Sequence, residues 1–422
     1  MGNENAVKEI GKQIKKILII LMLGGALGLA LLMLVYAIPT ERMIYNARAS
    51  VELIEDLGVN PQLISGYQAT TLDTYTDTWM LRIAFYNGEE SLLQKSLNNY
   101  NYGYGDGRSN SICESVVAYL NGMEGYQRYS YARYWHGYLV FLKPLLFFFD
   151  YGDIMGILKF VQLFLVVFCC VLLERNKLTK CIPAFLAACI CVEFHTIGLS
   201  MQYSGVFVTA LLSSIWILKR EDREFQDLSV DFVFLVTGMC TSFLDFLTYP
   251  VFTLGIPLAM MLLRRSVFGW KWRLPLSALL DSFYWGLGYG GMWSMKWILC
   301  TIFTGENMIA DGIHSVLYRS GADVMGKDVS YLEVLWENIR MICKYPYVLA
   351  ILGVIIYILL NKPHFHKIKK EVLIAWLFVV CIPFLWYAVS KNHSYIHAFM
   401  AYRDLGVSVF AGLCFLTQLK KE

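Results

Sequence analysis

Two aspartates four residues apart, Asp73 and Asp77 in Leu72-Asp73-Thr74-Tyr75-Thr76-Asp77-Thr78-Trp79, are the groups in this chain best suited to proton transfer. On a helix that spacing places both on one face. A carboxylate withdrawn from bulk water is more basic than a hydrated one and is suited to take a proton from a hydroxyl. The same residues have a plainer use, because Asp73 or Thr76 can open a helix as its N-cap. A capping role for one acid leaves the other free.

A second set is basic. The segment Asn392-His393-Ser394-Tyr395-Ile396-His397-Ala398-Phe399-Met400-Ala401-Tyr402-Arg403-Asp404 carries two histidines, an arginine and two tyrosines between apolar runs. His393, His397 and Arg403 can hydrogen-bond phosphate oxygens, the guanidinium bidentately; the alternative is a polar connection between two spans. Histidines four apart also match two metal ligands on one turn, but no third or fourth ligand follows, so no metal or other cofactor is expected. Lys296, in Gly290-Gly291-Met292-Trp293-Ser294-Met295-Lys296-Trp297, lies inside an apolar run. A cation there is costly unless paired or hydrated, so it reads as a ligand contact beside small glycines or as a snorkelling side chain. Asp245, in Ser242-Phe243-Leu244-Asp245-Phe246-Leu247-Thr248-Tyr249-Pro250, is a partner for Lys296 or Arg403, as a structural ion pair or in a site. Arg133 and His136, three apart within Tyr129-Ser130-Tyr131-Ala132-Arg133-Tyr134-Trp135-His136-Gly137-Tyr138, can bind an anion or stack on a sugar face, while the tyrosines have the composition of an interfacial belt. Glu193, His195, Gln202 and Tyr203 can extend the same polar cavity, and His314 and Arg319 read as a solvated loop surface.

The elements that must position these residues are membrane helices. The chain has 422 residues, 57% hydrophobic and 16% charged, which excludes an ordinary soluble domain. Crossing about 30 Å of hydrocarbon takes roughly 20 helical residues. Runs approaching that length lie near 17–38, 154–173, 181–197, 203–218, 230–248, 251–263, 276–303, 346–361, 372–389 and 405–419. The fold expected is an all-α polytopic membrane protein with about ten transmembrane helices. Lys8, Lys12, Lys15 and Lys16 precede the first run, which is too long for a signal peptide and reads as a retained span.

Basic residues cluster after alternate spans: Arg175/Lys177/Lys180, Lys219/Arg220/Arg223, Arg264/Arg265/Lys271/Arg273, Lys362/Lys367/Lys369/Lys370 and Lys420/Lys421. The positive-inside rule then puts both termini in the cytoplasm. The net charge of +3 belongs to these flanks, and no basic stripe interleaved with aromatics points to nucleic acid. The chain divides into a cytoplasmic start and first span (1–38), a large extracytoplasmic loop (39–153), a transmembrane bundle (154–303), a second outer loop (304–345) and C-terminal spans carrying the His/Arg segment (346–422). The first loop has helix-like stretches at Glu41 to Leu57, Thr76 to Tyr86 and Ser111 to Leu120, and an apolar, Pro144-containing interfacial stretch at 137–149. Eleven cysteines lie mostly in apolar runs and Cys113 alone in a polar one, so no disulfide framework is expected.

A large first outer loop bearing acids, many spans and a terminal His-Ser-Tyr-Ile-His…Tyr-Arg segment resemble the C-type (GT-C) membrane glycosyltransferases. Leu-Asp-Thr-Tyr-Thr-Asp, Tyr-Ala-Arg-Tyr-Trp-His-Gly-Tyr and Asn-His-Ser-Tyr-Ile-His look like a group of bacterial membrane proteins associated with surface-polysaccharide production. The resemblance implies a sugar taken from a polyprenyl-phosphate donor at the outer leaflet and passed to a glycan or glycolipid acceptor. A first-loop acid serves as general base, which carries over to Asp73 and Asp77. The family's acid follows its first span closely, whereas Asp73 lies 35 residues beyond Ile38, so Glu41 is a reserve candidate. Lys296, His393, His397 and Arg403 would then offset charge on the departing phosphate. Competing readings are a flippase or transporter of lipid-linked glycans and a polysaccharide polymerase or acyltransferase, the last resting on His136.

Overall fold

The computed structural model describes residues 3–104, 112–221, 232–267, 274–361 and 369–417. Gly105, Ser111, Arg223, Lys271, Arg273, Lys362, Lys367, Lys420, Lys421 and the side chain of Cys113 lie outside the described residues.

The chain is overwhelmingly helical. Its first half runs α1 (Asn3–Tyr36), α2 (Met43–Leu57), α3 (Thr74–Ala84), α4 (Leu92–Asn98), α5 (Ile112–Leu120), α6 (Leu139–Leu146), α7 (Tyr151–Arg175), α8 (Ile182–Cys191), α9 (Phe194–Ile197) and α10 (Met201–Lys219). The second half continues with α11 (Phe232–Leu244), α12 (Phe252–Val267), α13 (Leu274–Thr304), α14 (Met308–Ser320), α15 (Tyr331–Ile342), α16 (Tyr345–Leu360), α17 (Lys370–Val389), α18 (Lys391–Ile396), α19 (Ala398–Ala401) and α20 (Leu405–Thr417). Among the described residues, sheet is confined to two small antiparallel pairs, Asn101–Gly103 with Gln127–Tyr129 and Asp323–Val324 with Lys327–Asp328.

Among the described residues, five helical stretches are long and apolar enough to cross a membrane: Lys8–Tyr36, Tyr151–Arg175, Met201–Lys219, Lys370–Val389 and Ala398–Thr417. The pair α15 and α16, bent by 79°, makes a sixth if counted as one span. This is compatible with a multi-pass membrane protein. Their outward side chains are apolar, as lipid requires: Leu23, Phe160, Leu212 and Leu385 are all exposed.

The tightest helix crossing is between α11 and α13. A Cβ on Gly288 would stand 2.0 Å from the Leu235 carbonyl oxygen, and one on Gly238 would stand 2.1 Å from that of Trp285. The two glycines therefore let the backbones touch, the way small residues drive helix association in lipid. Gly288→Ala forces the helices apart against backbone rather than a flexible side chain. It is expected to destabilise the protein by about 1–3 kcal/mol, read as a lower thermal midpoint in detergent.

Helix ends gather in two layers. At one, Asn176 at the end of α7 donates to Leu218 O near the end of α10, Arg264 of α12 donates to Arg220 O, Arg265 pairs with the equally buried Asp281 of α13, and Cys181 ahead of α8 meets Thr417 of α20. At the other, the starts of α7, α10, α12 and α20 and the ends of α11 and α17 meet one another and described parts of the first loop. Asp281 thus sits in an ion pair at the layer remote from the loop.

The first loop is an ordered cap whose helix ends are closed from below by buried lysines. Lys143 of α6 donates to Ala84 O at the end of α3 (2.7 Å), and Lys296 of α13 donates to Ser96 O and Leu97 O at the end of α4 (3.0 and 2.8 Å). A cation at a helix C-terminus satisfies orphan carbonyls and complements the dipole. The helix α6 buries Leu139, Leu142 and Leu146 and exposes Phe141, with Phe148 exposed just beyond it. In the second loop, α14 exposes Ile309, Ile313, Val316 and Leu317.

Candidate functional site

Asp73 is the N-cap of α3. Its Oδ1 accepts from the Thr76 amide at 3.0 Å, while its buried Oδ2 has no hydrogen-bond partner among the described residues. Burial raises the Asp73 carboxyl above its ordinary range, opposed by the Thr76 hydrogen bonds and by the positive charge of Arg403. One oxygen holding the helix and one left over is the geometry of a base waiting for a hydroxyl.

Asp77 is used up. It accepts from Tyr151 Oη, from Ser200 Oγ (3.0 Å) and from the Met201 and Gln202 amides (3.1 and 2.8 Å). It is therefore a cap in trans for α10, whose own Ser200 makes no side-chain capping bond. Burial pushes its carboxyl up to about 7, with the donors from Tyr151, Gln202 and Ser200 pulling the other way and Asp73 adding to the rise. The cap is thus at Asp73, which keeps one unpartnered oxygen, while Asp77, expected as a second candidate base, instead ties the loop to the start of α10.

Arg403 is wholly buried and makes no ion pair among the described residues. Its guanidinium donates to Val192 O (3.1 Å), Phe399 O (2.8 Å) and Ala69 O (3.2 Å) and lies 4.0 Å from the Tyr203 ring centroid. Tyr402 Oη donates to the same Ala69 carbonyl and Tyr203 Oη to Thr71 O. The chain just ahead of Asp73 is therefore bolted to the C-terminal segment by Arg403 and Tyr402 and to α10 by Tyr203. Glu193 belongs to this neighbourhood: it accepts from Tyr347 Oη at 2.7 Å. Gln202 contributes its amide to Asp77, and its buried Oε1 is unpartnered among the described residues.

Around His393 lies a cationic group. Arg319 Nη1 donates to His393 Nδ1 at 2.7 Å, and His393 Nε2 meets Leu247 O at 2.5 Å. The accepting Nδ1 and donating Nε2–H fix a neutral imidazole. His397 lies beside it with its ring tilted by 42°, the centroids 4.7 Å apart. Burial, then His397 and Arg319, hold His393 well below its ordinary value; burial, then Arg319, bring His397 down to about 4. The positive charge of this group therefore resides on Arg319, which forms no ion pair among the described residues.

Asp245 is turned into its own loop, accepting from the Leu247 and Thr248 amides (3.0 Å each) and from Thr248 Oγ1 (2.5 Å). This cap sets the Leu247 carbonyl that His393 meets, so Asp245 orients the cationic group and is the ion-pair partner of neither Lys296 nor Arg403. Its neighbour is Asp404, fully buried, with Oδ1 on the Phe252 amide at 3.0 Å and Oδ2 unpartnered among the described residues. Asp404 adjoins Arg403 in the chain, which was a signal for it, but its burial is a tertiary fact.

Three expected ligand contacts are placed differently. The Lys296 ammonium is spent on the two α4 carbonyls and on the Trp135 ring, 5.4 Å away, because the end of a loop helix is packed directly on it. Arg133 makes a bidentate pair with Asp311 of α14 (2.8 and 2.9 Å), clamping the first long loop to the segment that carries α14. His136 has Nδ1 on Tyr138 Oη (3.2 Å) and Nε2 on Tyr131 O (2.8 Å) and is ringed by Tyr131, Tyr134, Tyr138 and Phe246. Burial, then Lys296, bring it down to about 3, so it is a neutral packing residue. These three position loops. His195 and His314 are exposed, and so is Glu41.

Among the described residues no group of three or more His, Cys, Asp or Glu is arranged to hold a metal ion. What the site offers is a base, Asp73, and a cation, Arg319, with buried aromatic rings between and around the loops: Tyr134 and Trp293 lie 5.5 Å apart, Trp293 and Tyr289 5.7 Å, and Tyr131 is stacked on Phe246. The buried hydroxyls of Tyr134 and Tyr289 are unpartnered among the described residues. No protein-family model matches the chain, and no curated protein or solved structure matches it.

Proposed function

We propose that this chain is a GT-C-type membrane glycosyltransferase that moves a sugar from a polyprenyl-phosphate donor to a cell-surface glycan or glycolipid at the extracytoplasmic face. The observation that carries the reading is the buried Asp73 carboxylate with one unpartnered oxygen, held by Arg403 and Tyr402 on the same layer of helix ends as Arg319, His393 and His397. Asp73 removes the proton of the acceptor hydroxyl, whose oxygen bonds to the anomeric carbon. The anomeric carbon–phosphate oxygen bond breaks in the same displacement, and the phosphate leaves with the electron pair and inverts the centre. Arg319 offsets the charge on that leaving phosphate, and His397 supplies an N–H to it. The rings and free hydroxyls of Tyr134, Tyr289 and Trp293 suit a sugar, which presents both apolar faces and hydroxyl groups.

The topology proposed has ten crossings, formed by α1, α7, α8, α10, α11, α12, α13, α16, α17 and α20. The basic residues Arg175, Lys177, Lys180, Lys219, Arg220, Arg264 and Arg265 sit at or beside the helix ends remote from Asp73, so the positive-inside rule makes that layer cytoplasmic, with both termini there. The acyltransferase alternative finds no support at His136, whose two ring nitrogens are both engaged.

The test is incubation of the purified protein with radiolabelled polyprenyl-phosphate sugars and glycan acceptors. Transfer is expected, and Arg319→Ala is expected to lower it by about 10²–10³-fold, the loss typical of a donor aimed at developing negative charge. Movement of lipid across vesicles with no bond made would replace the transferase with a flippase.

A further inference from the structure

Beside the Arg403 bolt, the outer surface opens into two adjoining cavities of about 280 and about 290 Å³. Gln62, Gln68, Arg340 and Met341 line both. One reaches Lys344; the other reaches Tyr395, Phe399 and Thr71, two residues from Asp73. The shared lining makes one groove from a basic rim on α15 and the start of α16 to Thr71, two residues before Asp73 in the chain.

The amide hydrogen-bonding left over in this groove is one-sided. Its amide oxygens are engaged, Gln62 Oε1 accepting from the Gly66 amide (3.0 Å), Gln68 Oε1 from Arg340 Nη2 (3.2 Å) and Asn60 Oδ1 from the Tyr75 amide (3.3 Å), and Glu337 is ion-paired with Arg340. The donors are not. The amide nitrogens of Asn60, Gln62 and Gln68 donate to nothing among the described residues, and the buried Nε of Arg340 is unpartnered there. Lys344 lies over the Tyr67 ring at 5.4 Å and forms no ion pair among the described residues. A surface offering amide, guanidinium and ammonium donors, with the rings of Tyr395 and Phe399 along it, fits a ligand with flat apolar ring faces and an excess of acceptor oxygens.

We infer that this groove is the acceptor subsite and that the acceptor is an acidic glycan, a chain of sugar rings bearing carboxylate groups, with its acidic end at Arg340 and Lys344 and its reactive hydroxyl delivered past Thr71 to Asp73. The inference rests on the transferase reading for the direction of the chain, but the binding itself does not. Of the two anions that reach an outer membrane surface, glycan carboxylates and lipid headgroups, the neutral amide donors of Asn60, Gln62 and Gln68 spread along the groove favour the glycan.

The experiment has a binding arm and a transfer arm. Full-length protein in nanodiscs of zwitterionic lipid is titrated with hexagalacturonate and, separately, with maltohexaose of the same ring count. Hexagalacturonate is expected to bind at least about tenfold more tightly, a difference of one close charge contact, and to weaken with added salt. The double variant Arg340→Gln/Lys344→Gln is expected to bring the ratio of the two affinities toward one. Equal affinities in the wild type, or an unchanged ratio in the variant, would overturn the subsite. Loss of hexagalacturonate binding when phosphatidylglycerol is added to the discs would assign the groove to headgroups and overturn it likewise. In the transfer arm, the ratio of KM values for acidic and neutral acceptors is expected to follow the binding ratio. Selective binding with no transfer from any donor would sink the transferase reading and leave the acidic-glycan site standing; transfer with no selectivity would do the reverse.

Discussion

Replacing Asp73 by asparagine is expected to lower sugar transfer by about 10²–10⁴-fold, the contribution of a positioned general base, in a protein that still folds. Folding survives because asparagine caps a helix as well as aspartate does, and the bond that matters for α3 is the one Oδ1 accepts from the Thr76 amide. What is lost is the second oxygen, which in the wild type has no partner among the described residues and is the one able to receive a proton. The contrast with Asp77→Asn is diagnostic. An amide cannot accept from Tyr151, Ser200, Met201 and Gln202 together, so that variant is expected to lose thermal stability rather than chemistry alone. Equal, wild-type transfer rates for a folded Asp73→Asn protein would remove Asp73 from the mechanism.

The pH dependence follows from the same burial. The base works ionised, and burial raises the carboxyl of Asp73, so the folded protein keeps that proton to a higher pH than a free aspartate would. Activity is therefore expected to fall on acidification, with its acid limb above the value near 4 of an ordinary carboxylate. The limb disappears from the residual rate of Asp73→Asn. His393 and His397 do not supply it, since both are held neutral well below pH 6.5 by burial and by Arg319.

The second large effect is structural. Arg403→Ala is expected to cost about 3–5 kcal/mol, as when one partner of a buried charged arrangement is removed. Three carbonyls, those of Val192, Phe399 and Ala69, lose their donor in a place water does not reach, and the ring of Tyr203 loses the plane stacked on it. Lysine is not expected to rescue, because one ammonium cannot span the positions a guanidinium fork reaches. Thermal unfolding in detergent measures the loss, and amide exchange over residues 62–73 should rise in the variant, since Ala69 is held by Arg403 and Tyr402. A wild-type midpoint would show that the three contacts do not bear on stability.

Some of this was legible in the residues alone. Apolar runs set the helical class, because a backbone in lipid must satisfy itself within each segment, and only composition and length are needed to see that. The N-cap reading of Asp73 was equally local: an acid three residues before a threonine amide caps wherever it is placed. The concentration of polar groups in 392–404 was visible as well, and from it Arg403 reaches the first loop at Ala69 while His393 meets Arg319 and the Leu247 carbonyl.

Tertiary structure decided what each charge is for. Lys296 has the intramembrane position of a ligand-binding cation, yet the last carbonyls of α4, some two hundred residues earlier in the chain, stand on its ammonium. Arg133 and Arg319 have similar local surroundings of aromatic and polar residues, but Asp311 faces the first and neutral histidines face the second, so one is a clamp and the other remains a cation. Asp73 and Asp77 are the same residue one helical turn apart, and only the arrival of the α10 start at Asp77 makes one a strut and leaves the other with an unpartnered oxygen. A side chain's type and spacing state what it can donate or accept. Which of those capacities remains unspent depends on groups brought in from distant parts of the chain, and no local pattern encodes them.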